Sequence, residues 1–505
     1  MTYILEMRNI TKKFPGVIAN DNVNLAIKKG EIHALVGENG AGKSTLMSIL
    51  YGLYQPDSGE ILLNGQKVTI DSPTTAIKLG IGMVHQHFML VPTLTVTENI
   101  VLGSEPKKGI MLNMERAIRE VEEISKQYNL LVDPQAKIQD ISVGMQQRVE
   151  IIKALYRGAE ILVLDEPTAV LTPQEVRELF RIMKNLTAQG KTIIFITHKL
   201  NEVIEITDNV TVLRAGRTVG SVATAQTNQN ELARMMVGRE VILKVPKTEA
   251  KVGQTILRVE NLEALNDRKL PALKGISFEL KKGEVLGIAG VAGNGQTELI
   301  EVITGLRKAT NGKVFFKEQE ITNQSPRAVK DAGISHIPED RHKRGLELDY
   351  TIADNLILGY QHRAPFSAWY GINEKAVQAH AENLIPAFDV RPRLPQAMAR
   401  SLSGGNQQKV IIAREFYQNP ELLIAAQPTR GVDIGAIEFI HKRIIEARDN
   451  GAAVLLVSAE LQEILALSDR IAVMFEGEIM DILDAKDASE EKLGLLMAGV
   501  KEGLQ

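Results

Sequence analysis

The nine residues Gly37-Glu38-Asn39-Gly40-Ala41-Gly42-Lys43-Ser44-Thr45 have the composition and spacing of a loop that holds phosphates. Glycines let the backbone wrap close to a triphosphate, and successive N–H groups and a helix N-terminus point at its negative charge. Lys43 can reach the β- and γ-phosphates, and Ser44 offers an oxygen to a Mg²⁺ ion. Such a loop works only between a strand and a helix. The apolar run Ile32 to Val36 supplies the strand, and Leu46, Ile49, Leu50 and Leu53 fall on one face of a helix over Thr45 to Leu53.

Further along, short apolar runs end in residues suited to hydrolysis. Ile161 to Leu164 delivers Asp165 and Glu166; a strand-end Asp can hold Mg²⁺ and the adjacent Glu can polarise water. Thr192 to Ile196 ends at Thr197 and His198, and Ile81 to Val84 places Gln86 just beyond its end. Strands reading as a half-buried antiparallel sheet occupy Tyr3 to Ile27, and Gly59 to Val68 reads as a hairpin turning on Asn64-Gly65. Glu98 to Ile141 is charge-rich and helical, with its clearest helix over Met114 to Tyr128, and another helix follows Ser142.

The bulk properties narrow the function. At 505 residues the chain is long enough for roughly three domains, or fewer large α/β ones. A net charge of −3 provides no basic footprint for nucleic acid. The absence of cysteine removes disulfides, zinc ribbons and thiol catalysis, and fits a reducing compartment. Met1 to Asn9 does not read as a secretory leader, and no apolar run approaches the ~20 residues of a membrane helix, so a membrane role needs partners.

The chain repeats itself. Gly37 and Gly290, like Ser72 and Ser325, are 253 apart; Asn99 and Asn355 are 256 apart; Ser142 and Ser403, Pro167 and Pro428, Thr197 and Ser458 are 261 apart. A period this long means tandem domains, residues 1–240 and 256–505, joined by a short linker over 241–255.

Taken in order, the phosphate loop, Gln86, Ile141-Ser142-Val143-Gly144-Met145-Gln146-Gln147-Arg148, Leu164-Asp165-Glu166-Pro167-Thr168 and His198 resemble the motif set of the ATP-binding-cassette ATPases. The resemblance covers nearly the whole chain. The fusion of two cassettes, the second bearing Leu402-Ser403-Gly404-Gly405-Asn406-Gln407-Gln408, is similar to the ATPase subunits of simple-sugar and nucleoside importers, and the segments Met83 to Leu90 and Ala425 to Gly431 look most like the nucleoside branch. The fold this implies is α/β: two P-loop NTPase cores, each with an antiparallel β subdomain and a helical subdomain. The activity implied is ATP hydrolysis at the cytoplasmic face of the cell membrane, coupled through integral-membrane permease subunits, and indirectly a solute-binding protein, to import of nucleosides or of sugars such as ribose or galactose.

The resemblance also distributes roles. Gly37, Glu38, Asn39, Gly40, Ala41, Gly42, Lys43, Ser44 and Thr45 bind nucleotide; Ser44, Gln86 and Asp165 hold Mg²⁺; Glu166 and His198, with Gln86, serve hydrolysis; Gln86 also couples the site to a partner subunit. Phe14 is either the ring that stacks on adenine or a core aromatic. His85, His87 and Trp369 read as packing residues, and Arg341-His342-Lys343-Arg344 as solvated surface or a partner contact.

The second copy departs from this pattern in one direction. Gln296 stands for Lys43, Glu298 for Thr45, Glu339 for Gln86, Ala426 and Gln427 for Asp165 and Glu166, and Ala459 for His198. Its signature Ser403-Gly404-Gly405-Asn406 is intact, whereas the first has the branched Val143 in place of a glycine. In the family, cassettes pair head to tail, so that each nucleotide meets one phosphate loop and the other cassette's signature. Under that rule the intact parts, including Ser403, Gly404, Gly405, Asn406 and Asp433, gather in one site and the degraded parts in the other, which implies one hydrolytic site per chain. A soluble double-cassette translation factor is expected to keep two hydrolytic sites and a long charged linker; a chromosome or repair ATPase is expected to carry a long heptad insertion and a basic face.

Overall fold

The computed structural model describes residues 3–85, 88–108, 111–168, 171–240, 245–291, 293–368 and 371–500. Gln86, His87, Ala292 and Trp369 lie outside the described residues. The chain divides into two compact units, Met1–Val241 and Ile242–Gln505.

In the first unit a six-stranded sheet runs in the order Arg217–Ala223, Asn209–Arg214, Ile32–Gly37, Thr192–Ile196, Ile161–Asp165, Ile81–Val84. Its pairings are parallel except at the Arg217–Ala223 edge. Parallel strands covered on both faces read as continuous apolar runs, and alternate side chains serve two cores. Ile194 and Ile196 join the core containing Leu46, Ile49 and Leu50 of the helix Lys43–Leu50. Ile193 and Phe195 join the core containing Val149, Ile152, Leu179 and Met183 of the helices Val143–Tyr156 and Pro173–Ala188.

A second, four-stranded antiparallel sheet pairs Tyr3–Phe14 with Val17–Lys28 on one side and with Ser58–Leu63 on the other. The hairpin between Ser58–Leu63 and Gln66–Val68 closes on Asn64 (φ 49°) and Gly65 (φ 79°), both left-handed as a type I′ turn requires. The helical part comprises Val96–Val101, Met114–Gln127 and Val143–Tyr156. One expectation is corrected. The helix after the phosphate loop ends at Leu50, and Leu53 is 52 % exposed, because Gly52 turns the chain at φ 77° and approaches Ser72 so closely that no side chain fits there.

The second unit repeats the plan. Its six strands run Ile334–Ile337, Leu422–Ala426, Ala453–Val457, Val285–Ala289, Arg470–Phe475, Glu478–Asp484, the same order with the same antiparallel edge. Even buried amides are duplicated. Asn99 accepts from the Val91 N–H and donates to the Val91 and Thr95 carbonyls; Asn355 does the same with Glu347 and Thr351. The growth in spacing from 253 to 256 falls at the turn Arg341–Gly345. His342, Lys343 and Arg344 are exposed, as the charge run suggests, but three of the four side chains also reach back to the unit. Arg341 donates to the Arg430 carbonyl, His342 lies 2.9 Å from Gln407, and Arg344 pairs with the buried Glu301 at 2.6 Å. The described part of the joining segment is fastened to the second unit, with Lys247 paired to Asp469 at 3.2 Å and Thr248 O accepting from Arg448.

Candidate nucleotide site

The phosphate loop, Asp165, Glu166 and His198 all leave the carboxyl ends of three adjacent parallel strands, the edge at which open α/β sheets bind ligands. Gly42 precedes the first helix at φ 97°, and a Cβ there would lie 2.3 Å from the Ala19 carbonyl oxygen, so only glycine fits. The buried Asn20 donates to the Gly42 carbonyl and ties the antiparallel sheet to the loop. Lys43 is buried, and its ammonium donates to the carbonyls of Gly37 (2.7 Å) and Glu38 (3.1 Å). Burial lowers its pKa, opposed by the charges of Glu166, Asp165 and Glu38. Ser44 is exposed at the mouth of the loop.

Asp165 is pushed up to about 6 by burial and by the neighbouring charge of Glu166, with Lys43 acting the other way. Burial would raise Glu166 too, but the hydrogen bond and charge of His198, with Lys43 and Lys199, hold it below the usual carboxylate range. His198 Nδ1 lies 3.0 Å from Glu166 Oε1. Glu166 is held at φ 46°, a left-handed conformation that costs a residue with a side chain of order 1–3 kcal/mol, and its N–H donates to the Ile196 carbonyl. Thr168 and Thr197, flanking the two acids and the histidine, both donate to the buried carboxylate of Glu202. Asn20 and Glu202 escape the motif reading; for Glu202 the only sequence signal is its repeat at Glu463, 261 residues on. Phe14 is half-buried and meets Tyr54 edge-on at 5.4 Å, so it is not a core aromatic. His85 packs edge-on against Tyr51 at 6.0 Å, as the packing reading expects.

In the second unit Ser403 caps the helix Gly404–Tyr417, accepting from Asn406 Nδ2 at 2.9 Å. A Cβ on Gly404 would meet Arg341 Nη2 at 2.8 Å, and one on Gly405 would meet Asp433 Oδ2 at 2.7 Å. Val143, at the position of Gly404, is 39 % exposed. Two glycines of the second phosphate loop match those of the first, Gly293 at φ 93° and Gly295 at φ 100° against Gly40 at φ 81° and Gly42 at φ 97°. Its side chains bond within the unit: the buried Gln296 donates to the Val291 carbonyl, and the exposed Thr297 donates to Glu339, which also pairs with Arg430.

Both halves match the family model described as ABC transporter, over residues 20–169 and 273–430, and the chain belongs to that family. It is 56 % identical over 499 residues to the guanosine import ATP-binding protein NupO of Bacillus subtilis, covering 99 % of this chain and 98 % of that one. It is 51 % identical to the nucleoside import ATP-binding protein NupA of Lactococcus lactis, covering 98 % of each. Among solved structures, the complex of archaeal ribosomal stalk protein aP1 with the ribosome recycling factor aABCE1 aligns over 94 % of this chain and 90 % of that one, with a TM-score of 0.61 and 21 % identity, a likeness of fold alone.

Proposed function

We propose that the chain is the ATP-hydrolysing subunit of a membrane importer of nucleosides, working at the cytoplasmic face of the membrane on permease subunits fed by a solute-binding protein. The observation that carries the hydrolytic reading is the hydrogen bond between His198 and Glu166 beside the buried Lys43. The nucleoside reading is supported by the similarity to NupO and NupA over nearly the whole chain. Among the described residues no helix is long and apolar enough to cross a membrane, which fits a subunit that acts through a permease.

In this reading Lys43 leaves its own loop carbonyls for the β- and γ-phosphates. Glu166, kept ionised by His198, accepts the proton of the attacking water, work of the order of 10²–10⁴-fold in rate. His198, its Nδ1 engaged with Glu166, has Nε2 for the γ-phosphate. Phe14 offers its ring to adenine. The residues fit a magnesium ion: Asp165 is a buried acid whose charge a divalent cation favours, and Ser44 and Gln86 supply further oxygens. When bound, that ion neutralises charge on the phosphates. Ser403, Gly404, Gly405, Asn406 and Asp433 complete this site from the second cassette, by the head-to-tail pairing of the family. ATP binding then closes the cassettes and hydrolysis reopens them.

Reconstitution with the permease and binding protein, followed by uptake of labelled nucleosides against ribose and galactose, tests the proposal. ATP-dependent uptake of nucleosides is expected. Uptake of sugars without nucleosides would overturn the substrate assignment, and co-purification with ribosomes in place of a permease would overturn import itself.

A further inference from the structure

The second phosphate loop lacks the chemistry for a metal-bound nucleotide in a specific way. Thr297, the counterpart of Ser44, donates its hydroxyl proton to Glu339 Oε2 at 2.9 Å. The other oxygen of that carboxylate takes Arg430 Nη1 at 3.0 Å. Both oxygens that could face a cation at this loop are thereby committed to each other and to a guanidinium. The turn carrying Arg430 is pinned: its N–H donates to the Gln427 carbonyl at 3.1 Å, and its own carbonyl accepts from Arg341 at 2.9 Å. Ala426 and Gln427 supply no carboxylate, and Gln427 Oε1 accepts from the Ala459 N–H.

We infer that Arg430 is a built-in counter-ion that takes the place of magnesium in the second cassette and keeps the metal out. This deepens the one-site reading and rests on it. A Glu beside a Thr hydroxyl is, by donor type, a better pair for a hard cation than the Gln and Ser of the first cassette. The guanidinium of Arg430 on that carboxylate is what sets the second loop's pair apart. Arg430 is 66 % exposed, so the pair adds little to stability. It acts by neutralising the carboxylate: Mg²⁺ gives up water reluctantly, and with Arg430 in place the Glu339 carboxylate beside Thr297 has no uncompensated charge to offer it.

The test counts ions in the full chain with saturating ATP and Mn²⁺ as an EPR-visible probe. With Glu166→Gln blocking turnover, one bound Mn²⁺ per chain is expected. Adding Arg430→Ala frees the Glu339 carboxylate of its counter-ion and raises the count toward two; Arg430→Lys, which keeps the positive charge, holds it at one; Arg430→Ala with Glu339→Gln returns it to one. Two ions with Arg430 present, or one ion after Arg430→Ala, would overturn the inference. A parallel chain with Asp165→Ala separates this from the one-site reading. It is expected to lose the first-cassette ion and to gain one only when Arg430→Ala is added. An ion retained there despite Arg430 would place metal in the second cassette and overturn the inference, whatever the hydrolysis rates are.

Discussion

At Glu166 the first cassette leaves its strand with φ 46° and an N–H bonded to Ile196; at Gln427 the second leaves its strand with φ 47° and an N–H bonded to Val457. The φ angles agree to within a degree, in a left-handed conformation uncommon for residues other than glycine. The side chains have parted. One carboxylate partners a histidine 3.0 Å away, while the amide at its counterpart accepts from a backbone N–H at 3.1 Å. A duplicated fold can thus exchange the residues at a strand end without loosening, because sheet, loop and turn are fixed by packing and backbone hydrogen bonds and not by those side chains.

Breaking equivalent positions in the two halves sharpens that contrast. Lys43→Ala is expected to lower nucleotide affinity and hydrolysis on the order of 10³-fold, since it removes a buried cation from a cluster of acids and phosphates. Gln296→Ala, which removes only a bond to Val291, should change hydrolysis by less than about twofold in a phosphate-release assay. At the signatures the order reverses. Gly405→Val must collide with Asp433 and should slow hydrolysis by about tenfold or more, whereas Val143→Gly should leave the rate near that of the parent.

A third contrast lies in stability. The carboxyl of Asp165 is raised to about 6, above its unfolded value of 3.8, so the native state binds the extra proton between those limits. Folding stability from this group therefore falls as pH rises from about 4 to 6, and stays low above. Asp165→Asn should raise the melting temperature by about 3–6 °C at pH 7.5 and by nearly nothing at pH 4, by scanning calorimetry. Ala426→Asn, at the matching position of the second unit, has no buried acid to relieve and should lower it. The smallest difference is expected where the halves agree: Asn99→Ala and Asn355→Ala each strand the same backbone groups, and each should cost about 2–4 kcal/mol in denaturant unfolding.

The strands Ile81–Val84 and Thr192–Ile196 and the Asn64-Gly65 turn were legible to the residue, because buried parallel strands and type I′ turns each impose a narrow composition. The phosphate loop, the two acids and His198 were legible for a related reason: each ends an apolar run at one sheet edge. Glu202 was not, since a glutamate on a short helix looks solvated until the fold brings Thr168 and Thr197 onto it. Nor were the contacts of Arg341, His342 and Arg344, which stay at the surface while a gain of three residues in spacing lets them reach back onto Arg430, Gln407 and Glu301. Spacing reports what lies near in the chain; these contacts span 65 residues or more in the case of Gln407 and Arg430.

The division of labour between the two halves is tested most directly by steady-state hydrolysis in two single variants of the assembled transporter. Glu166→Gln should abolish turnover, by about 10²–10⁴-fold, while ATP still binds, and Gln427→Ala should keep most of it. Strong loss in Gln427→Ala, or substantial turnover surviving in Glu166→Gln, would contradict a single working site in the first cassette.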